Sequence, residues 1–150
     1  MASPSRAPRV LFICTGNICR SPTAHALLMH KAKAAGLPVE VDSAAIQSDS
    51  RGWPADERAV AEALRRGVAM PQRGARQVRQ RDFEHYDLVI GMTRHHCEIL
   101  RELAPGHAAK VRMLTDSDVP DPWYGEADFG HAFDIIERGV DGLLKTLSKP

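Results

Sequence analysis

Cysteine is scarce in this chain: three in 150 residues, an odd number, with no apolar leader ahead of them. That excludes a disulfide scaffold and points to free thiols in a reducing cytoplasm. Net charge is scarce too. Twenty Lys and Arg face nineteen Asp and Glu, leaving +1, which is too balanced for a dedicated nucleic-acid or membrane-surface binder. No apolar run approaches the roughly 18 residues of a spanning helix, so neither a membrane nor a nucleic acid is an expected partner. There is no internal repeat, no low-complexity segment and no break that would mark a second domain. Residues 1–8, Met1 to Pro8, carry no apolar stretch and read as a flexible N-terminal arm rather than a signal peptide. Residues 9–150 then form a single domain of ordinary size, about 100–150 residues. With 43% hydrophobic and 26% charged residues the whole chain has globular composition.

Strands and helices alternate along that domain. Arg9–Ile13 is a β-branched and aromatic run closed by Cys14-Thr15-Gly16, a buried strand entering a loop. Ser21-Pro22 predicts a helix cap followed by a first-turn proline, and the helix stops near Gly36-Leu37-Pro38. Val39–Ser43 is a second strand. Pro54–Arg66 is a predicted helix with Val60 and Leu64 facing inward and Gly67 as its stop. Tyr86–Ile90 is the third strand, Thr93 caps a helix carrying Ile99, Leu100 and Leu103, and Lys110–Leu114 is the fourth strand. Phe129, Phe133, Ile136, Val140, Leu143 and Leu147 alternate spacings of four and three, the apolar stripe of a last helix. This order predicts an α/β fold with a four-stranded parallel sheet and helices on both faces. Ligands of such sheets sit beyond the carboxyl ends of the strands. That puts Cys14, Ser43 and the segment after Leu114 on one rim. The arginines from Arg65 to Arg81 read as a solvated face, with an anion-attracting patch as the alternative. His95-His96-Cys97 has the residue types of a metal site, but neighbours on a helix face different directions, so no metal is expected there.

The chemistry lies in the first loop. Cys14 ends a strand, five residues follow, and Arg20 and Ser21 open a helix. Successive loop N–H groups at the positive end of that helix make a cradle for phosphate or another tetrahedral oxyanion. Gly16 has no Cβ and Asn17 tolerates left-handed backbone, so the loop can curl its amides inward. Arg20 can grip two oxygens with its planar fork, and the positive field favours the thiolate of Cys14, an in-line nucleophile. Such a thiolate expels an aryl oxygen only if a proton arrives. Asp116, Asp118, Asp121 and Asp128 are the nearby candidates. Asp121 is preferred because Pro122 stiffens its loop and Trp123 and Tyr124 could wall an aromatic ring.

Cys14-Thr-Gly-Asn-Ile-Cys-Arg-Ser-Pro22 resembles the signature of the low-molecular-weight protein-tyrosine phosphatases at every fixed position. Val41–Ala45, Ala75–Val78, Asp82-Phe83 and Asp121–Gly125 extend the resemblance over nearly the whole chain from Arg9. The resemblance implies a four-stranded parallel sheet, neither metal nor cofactor, and hydrolysis of protein phosphotyrosine through a cysteinyl-phosphate. It implies Cys14 as nucleophile, Arg20 as the phosphate clamp and Asp121 as general acid. Thr15, Gly16, Asn17, Ile18, Cys19 and Ser21 would bind substrate with Trp123 and Tyr124, and Ser43 would support Asn17. Ser21 could both cap its helix and donate to the thiolate. Cys19 could capture an oxidised Cys14 as a reversible disulfide. The chain departs from the family at two points. Many eukaryotic members carry a histidine near Gln72-Arg73, absent here, and the family often has an aromatic after the second strand, where this chain has Asp49 with Trp53 four residues later. Among rivals, an arsenate reductase would need a further cysteine pair, and Cys97 stands alone. A non-hydrolytic reader would be expected to lose Cys14 or Asp121. A protein-arginine phosphatase would carry a threonine where Ile18 stands.

Overall fold

The computed structural model describes residues 6–149. Four strands, β1 (Arg9–Cys14), β2 (Glu40–Ala45), β3 (Leu88–Gly91) and β4 (Val111–Met113), alternate with helices α1 (Arg20–Ala34), α2 (Glu57–Arg65), α3 (Gln80–His85), α4 (Arg94–Leu103) and α5 (Phe129–Leu147). The strands are all parallel, in the order β2-β1-β3-β4, as expected.

The sheet is covered on both faces, which is why β1 reads as an unbroken apolar run. Val10 and Phe12 pack with Leu27 and Leu28 of α1 and Phe133, Ile136 and Val140 of α5. Leu11 and Ile13 pack on the other face with Phe83 of α3 and Leu100 of α4. Each such large apolar side chain contributes about 1.5–3 kcal/mol by burial. The chain runs from β1 to β2 on one flank, then crosses back to place β3 on the other. Adjacent crossovers therefore diverge at β1, and a crevice opens beyond its carboxyl end. Cys14 is the last residue of that strand.

Some elements differ from expectation. Pro54 lies in a loop and α2 begins at Glu57, because Asp56 caps it by accepting from Arg58 N at 2.8 Å. Leu64 points outward, 61% exposed, and the inward positions are Ala59, Ala63 and Glu62. Instead of leucine, the Arg58 and Arg66 guanidiniums lie over the Phe129 and Phe133 rings, 4.7 and 4.6 Å from their centroids. Leu103, at the end of α4, is also exposed. Helix α3 has no periodic apolar pattern to announce it. It forms because the Asp82 carboxylate accepts from Arg79 N at 2.8 Å and Phe83 enters the core.

Residues 1–5 of the expected arm lie outside the described residues. From Arg6 the chain is tied to the sheet: Arg6 pairs with Asp87 at 2.7 Å and the Pro8 carbonyl accepts from Glu40 N at 2.9 Å. Most of the arginine-rich stretch is neutralised locally. Arg65 and Arg66 pair with Glu62, Arg66 also with Asp134, Arg73 and Arg76 with Asp42, and Arg76 also with Asp82. Among the described residues no helix is long and apolar enough to cross a membrane.

Candidate active site

The loop from β1 to α1 closes around the Cys14 sulfur. Asn17 takes a left-handed conformation, φ 58°, alone among the described non-glycine residues. This turn aims its backbone N–H at Cys14 Sγ, 3.3 Å away. Gly16 faces Ser50, whose Oγ would stand 3.2 Å from a Cβ there, so a side chain would crowd the loop.

Ser21 corrects one expectation. Helix α1 starts at Arg20 and its N-cap position is Cys19, with no side-chain cap. Ser21 lies inside the first turn and its hydroxyl has another partner. Asn17 Nδ2 donates to Ser21 Oγ at 2.8 Å, and that oxygen lies 3.0 Å from Cys14 Sγ. With an amide donor on its oxygen, the hydroxyl gives its own proton to the sulfur. Two donors, the Asn17 N–H and the Ser21 hydroxyl, thus converge on the Cys14 sulfur.

Arg20 is 5% exposed and already engaged. Its Nη1 donates to the Val119 carbonyl at 2.9 Å, and its Nη2 to Thr15 Oγ1 at 3.3 Å and Asp121 Oδ2 at 3.2 Å. Asp121 precedes a single 3-10 turn, Pro122–Tyr124, and its Oδ1 accepts from Trp123 N at 3.1 Å. Glu126 holds the loop from behind, accepting from Asp121 N at 2.7 Å. The other candidate acids are engaged elsewhere. Asp118 accepts from Arg94 N at 2.8 Å at the start of α4, and Asp128 caps α5 through His131 N at 2.6 Å. Neither lines the cavity, nor does Asp116.

That cavity, about 250 Å³, has Cys14, Arg20 and Asp121 at its base with Thr15, Gly16, Ile18 and Cys19. Trp53, Trp123 and Tyr124 form its rim with Asp49. Trp123 and Tyr124 meet edge to face, centroids 4.7 Å apart. The loop after β2 therefore does supply an aromatic wall: Trp53 reaches the mouth because Gly52 N and Trp53 O bond to the backbone of Ala75.

Ser43 does not touch Asn17. It lies one layer behind, and Arg73 bridges the two, donating to Ser43 Oγ at 2.9 Å and to Asn17 Oδ1 at 3.4 Å. Arg76 N adds a second bond to Asn17 Oδ1 at 3.2 Å, and His25 Nδ1 sits 3.0 Å from Ser43 Oγ. Arg73 and His25 thus hold Ser43 and Asn17 together behind the loop. An arginine there was visible in the sequence, but only the fold aims it at Asn17. Behind Thr15, His96 is buried with its Nε2 3.0 Å from Thr15 Oγ1. Its neighbours diverge as expected: His95 is exposed and Cys97 enters the core. The Cys14, Cys19 and Cys97 thiols are free, and burial pushes the Cys19 thiol well above its ordinary range, which leaves it a poor thiolate.

The two buried histidines carry a pH dependence. Burial pushes His25 down to about 4, and burial with the Arg20 charge pushes His96 down to about 3. In the unfolded chain both titrate near 6.5. Below that value the unfolded state binds more protons than the native one, so stability is full above pH 6.5 and is lost as pH falls towards 4. The slope reaches about 1.4 kcal/mol per pH unit for each histidine. Carboxylates held low, Asp42 against its burial by the Ser43 N–H with Arg73 and Arg76, and Asp87 by Arg6, add to the loss only near and below their ordinary range. Urea unfolding at pH 7 and pH 5 should show a clearly lower midpoint at pH 5. Equal midpoints would mean that these histidines protonate within the fold.

Fold and site together define a hydrolase of phosphoric monoesters. The sequence pattern of the low molecular weight phosphotyrosine protein phosphatases matches residues 9–150. A low molecular weight protein-tyrosine-phosphatase of Streptomyces coelicolor is 41% identical, over 91% of each chain. Among solved structures, YfkJ from Bacillus subtilis superposes with TM-score 0.90 at 32% identity, covering 97% of both chains. Vibrio vulnificus Wzb in complex with benzylphosphonate does so with TM-score 0.84 at 28% identity, over 93% of this chain and 98% of that one. The YwlE arginine phosphatase from Geobacillus stearothermophilus gives 0.83 at 33%, over 93% and 92%. The chain belongs to the low molecular weight protein-tyrosine phosphatases.

Proposed function

We propose that residues 9–150 act as one cytoplasmic catalytic domain that hydrolyses phosphotyrosine in proteins, with Cys14 as nucleophile, Arg20 as clamp and Asp121 as general acid. One observation carries this reading: a sulfur receiving two donors lies at the base of the same cavity as a buried arginine-aspartate pair, under an aromatic rim. In the first step the Cys14 sulfur attacks phosphorus as the P–O bond to tyrosine breaks, and protonated Asp121 gives its proton to the leaving oxygen. Charge on the phosphoryl oxygens falls on the loop amides and Arg20. In the second step water attacks phosphorus, the S–P bond breaks, and Asp121 takes the water proton. Ser21 donates to the departing thiolate. Thr15, Gly16, Asn17, Ile18 and Cys19 line the phosphate, and Trp53, Trp123 and Tyr124 flank the ring. Ser43, through Arg73, supports Asn17. Free thiols suit a reducing compartment. The test is hydrolysis of para-nitrophenyl phosphate with and without chelator and vanadate. Chelator-insensitive, vanadate-blocked turnover supports the thiolate mechanism, and metal-dependent activity overturns it.

Substrate class turns on Ile18. Its side chain lines the cavity and offers a stiff β-branched wall with no hydroxyl. A wall of this kind suits a flat ring and gives nothing to a guanidino phosphate. The expected result is a kcat/KM for phosphotyrosine peptides at least about a hundredfold above that for phosphoarginine, roughly the discrimination of a site lacking one needed polar contact. Ile18→Thr should narrow or reverse that ratio. A parent enzyme that prefers phosphoarginine would end the phosphotyrosine reading and leave the Cys14 chemistry in place.

A further inference from the structure

We propose that the Thr15 hydroxyl is an additional hydrogen-bond donor to the phosphoryl group in the transition state, and that His96 is the residue that positions it; this rests on the phosphatase reading above. Arg20 has only donors, so Nη2 gives a proton to Thr15 Oγ1 at 3.3 Å. His96 Nε2 lies 3.0 Å from the same oxygen, and His96 Nδ1 is buried with no hydrogen-bond partner among the described residues.

A neutral imidazole holds one ring proton. On Nδ1 it would be a sealed N–H with no acceptor, the rarer and costlier kind of orphan, and on Nε2 it leaves only an unused lone pair. The proton therefore sits on Nε2 and is donated to Thr15. Both lone pairs of Thr15 are then filled, one by Arg20 and one by His96. Its own hydrogen must point away from both. Thr15 lines the cavity between Cys14 and Arg20, and no acceptor in the described protein claims that hydrogen. The oxygens of a bound phosphoryl group are the acceptors at hand. Ser21 obeys the same logic: its oxygen is filled by Asn17 and its proton goes to the sulfur. The loop thus carries two oriented hydroxyls, one for the thiolate and one for the phosphoryl group.

The fold builds this arrangement on purpose-made packing. Thr93 caps α4 by accepting from His96 N at 3.1 Å, which fixes the residue in the first turn. Gly91 lets that turn approach β3: a Cβ there would stand 3.0 Å from His96 Cβ and 2.9 Å from Cys97 Sγ. Removing a hydrogen bond to a charged group costs about 1.5–3 kcal/mol, or roughly 10–150-fold, and removing a preorganised oxyanion donor about 10²–10³-fold in rate.

The experiment compares Thr15→Val, Thr15→Ser, His96→Leu and the Thr15→Val/His96→Leu double variant, reading kcat/KM on para-nitrophenyl phosphate and affinity for vanadate and for inorganic phosphate. Thr15→Val should lower kcat/KM about 10–100-fold and weaken vanadate, which resembles the transition state, more than phosphate. Thr15→Ser should recover most of the loss. His96→Leu should lose less than Thr15→Val, and the double variant should fall no further than Thr15→Val alone. Thr15→Val within about twofold of the parent in turnover and vanadate affinity would overturn the assignment, as would losses that multiply in the double variant. Should His96→Leu fail to fold, His96→Phe takes its place in the single and double variants, and the valine and serine variants at Thr15 decide the donor role. A parent inert towards every aryl phosphate would strike the phosphatase reading, and the vanadate comparison would still decide this one.

Discussion

Cys14→Ser should yield a folded protein that binds phosphate and hydrolyses none of its esters. The substitution exchanges one small buried side chain for another at the end of β1, where the residue is 3% exposed. The loop amides and Arg20 remain, so oxyanion affinity is retained. What is lost is the nucleophile: a serine hydroxyl beside Ser21 has no base to take its proton, whereas the thiolate needs none. Turnover should drop by at least about a thousandfold, the scale on which removal of a nucleophile acts. Acid-quench trapping should recover phosphorus on the parent chain and none on the variant. Near-parental turnover by the serine variant would remove Cys14 from the role.

Asp121→Asn should cost about 10²–10⁴-fold with poor leaving groups, the range of general acid catalysis, and far less with good ones. Asparagine keeps the shape and the acceptor for Trp123 N, so the effect is chemical rather than structural. Phenyl phosphate needs a proton on its leaving oxygen, whereas para-nitrophenyl phosphate scarcely does. The ratio of their kcat/KM values therefore reads the role directly. Asp121 Oδ2 accepts from Arg20 Nη2, so the acid sits beside the clamp. A loss equal for both esters would take the acid role away from Asp121. Asp118 is a weak replacement, since it is spent on the start of α4.

Which parts of this were legible in sequence follows the range of the forces involved. Arg9–Cys14, the α5 stripe and the loop between Cys14 and Ser21 were readable, because continuous apolar runs, a 3.6-residue period and a left-handed Asn after Gly are local properties. The α2 error has a tertiary cause. Leu64 looked like core by its period, but α2 turns Ala59 and Ala63 inward, flanked by Arg58 and Arg66 stacked on Phe129 and Phe133 of α5, and leaves Leu64 on the outer side. Ser21 looked like a cap by its place before Pro22. The pull of the Cys14 sulfur and the Asn17 amide took its hydroxyl from the helix end.

The sequence by itself determined the fold class, the anion loop, the thiol, the arginine and the aspartate across the site. All of these are encoded in short windows whose chemistry does not depend on distant neighbours. Only the tertiary structure decided how they are held. Arg73 reaches Asn17 from 56 positions away, Trp53 completes the rim from a loop tied to Ala75, and His96 meets Thr15 across 81 positions. Each of these side chains would serve equally well on the surface. Its role comes from strand order and helix approach, which bring the carboxyl ends of β1, β2 and β3 to one edge and leave buried polar atoms there that must find partners or remain unsatisfied.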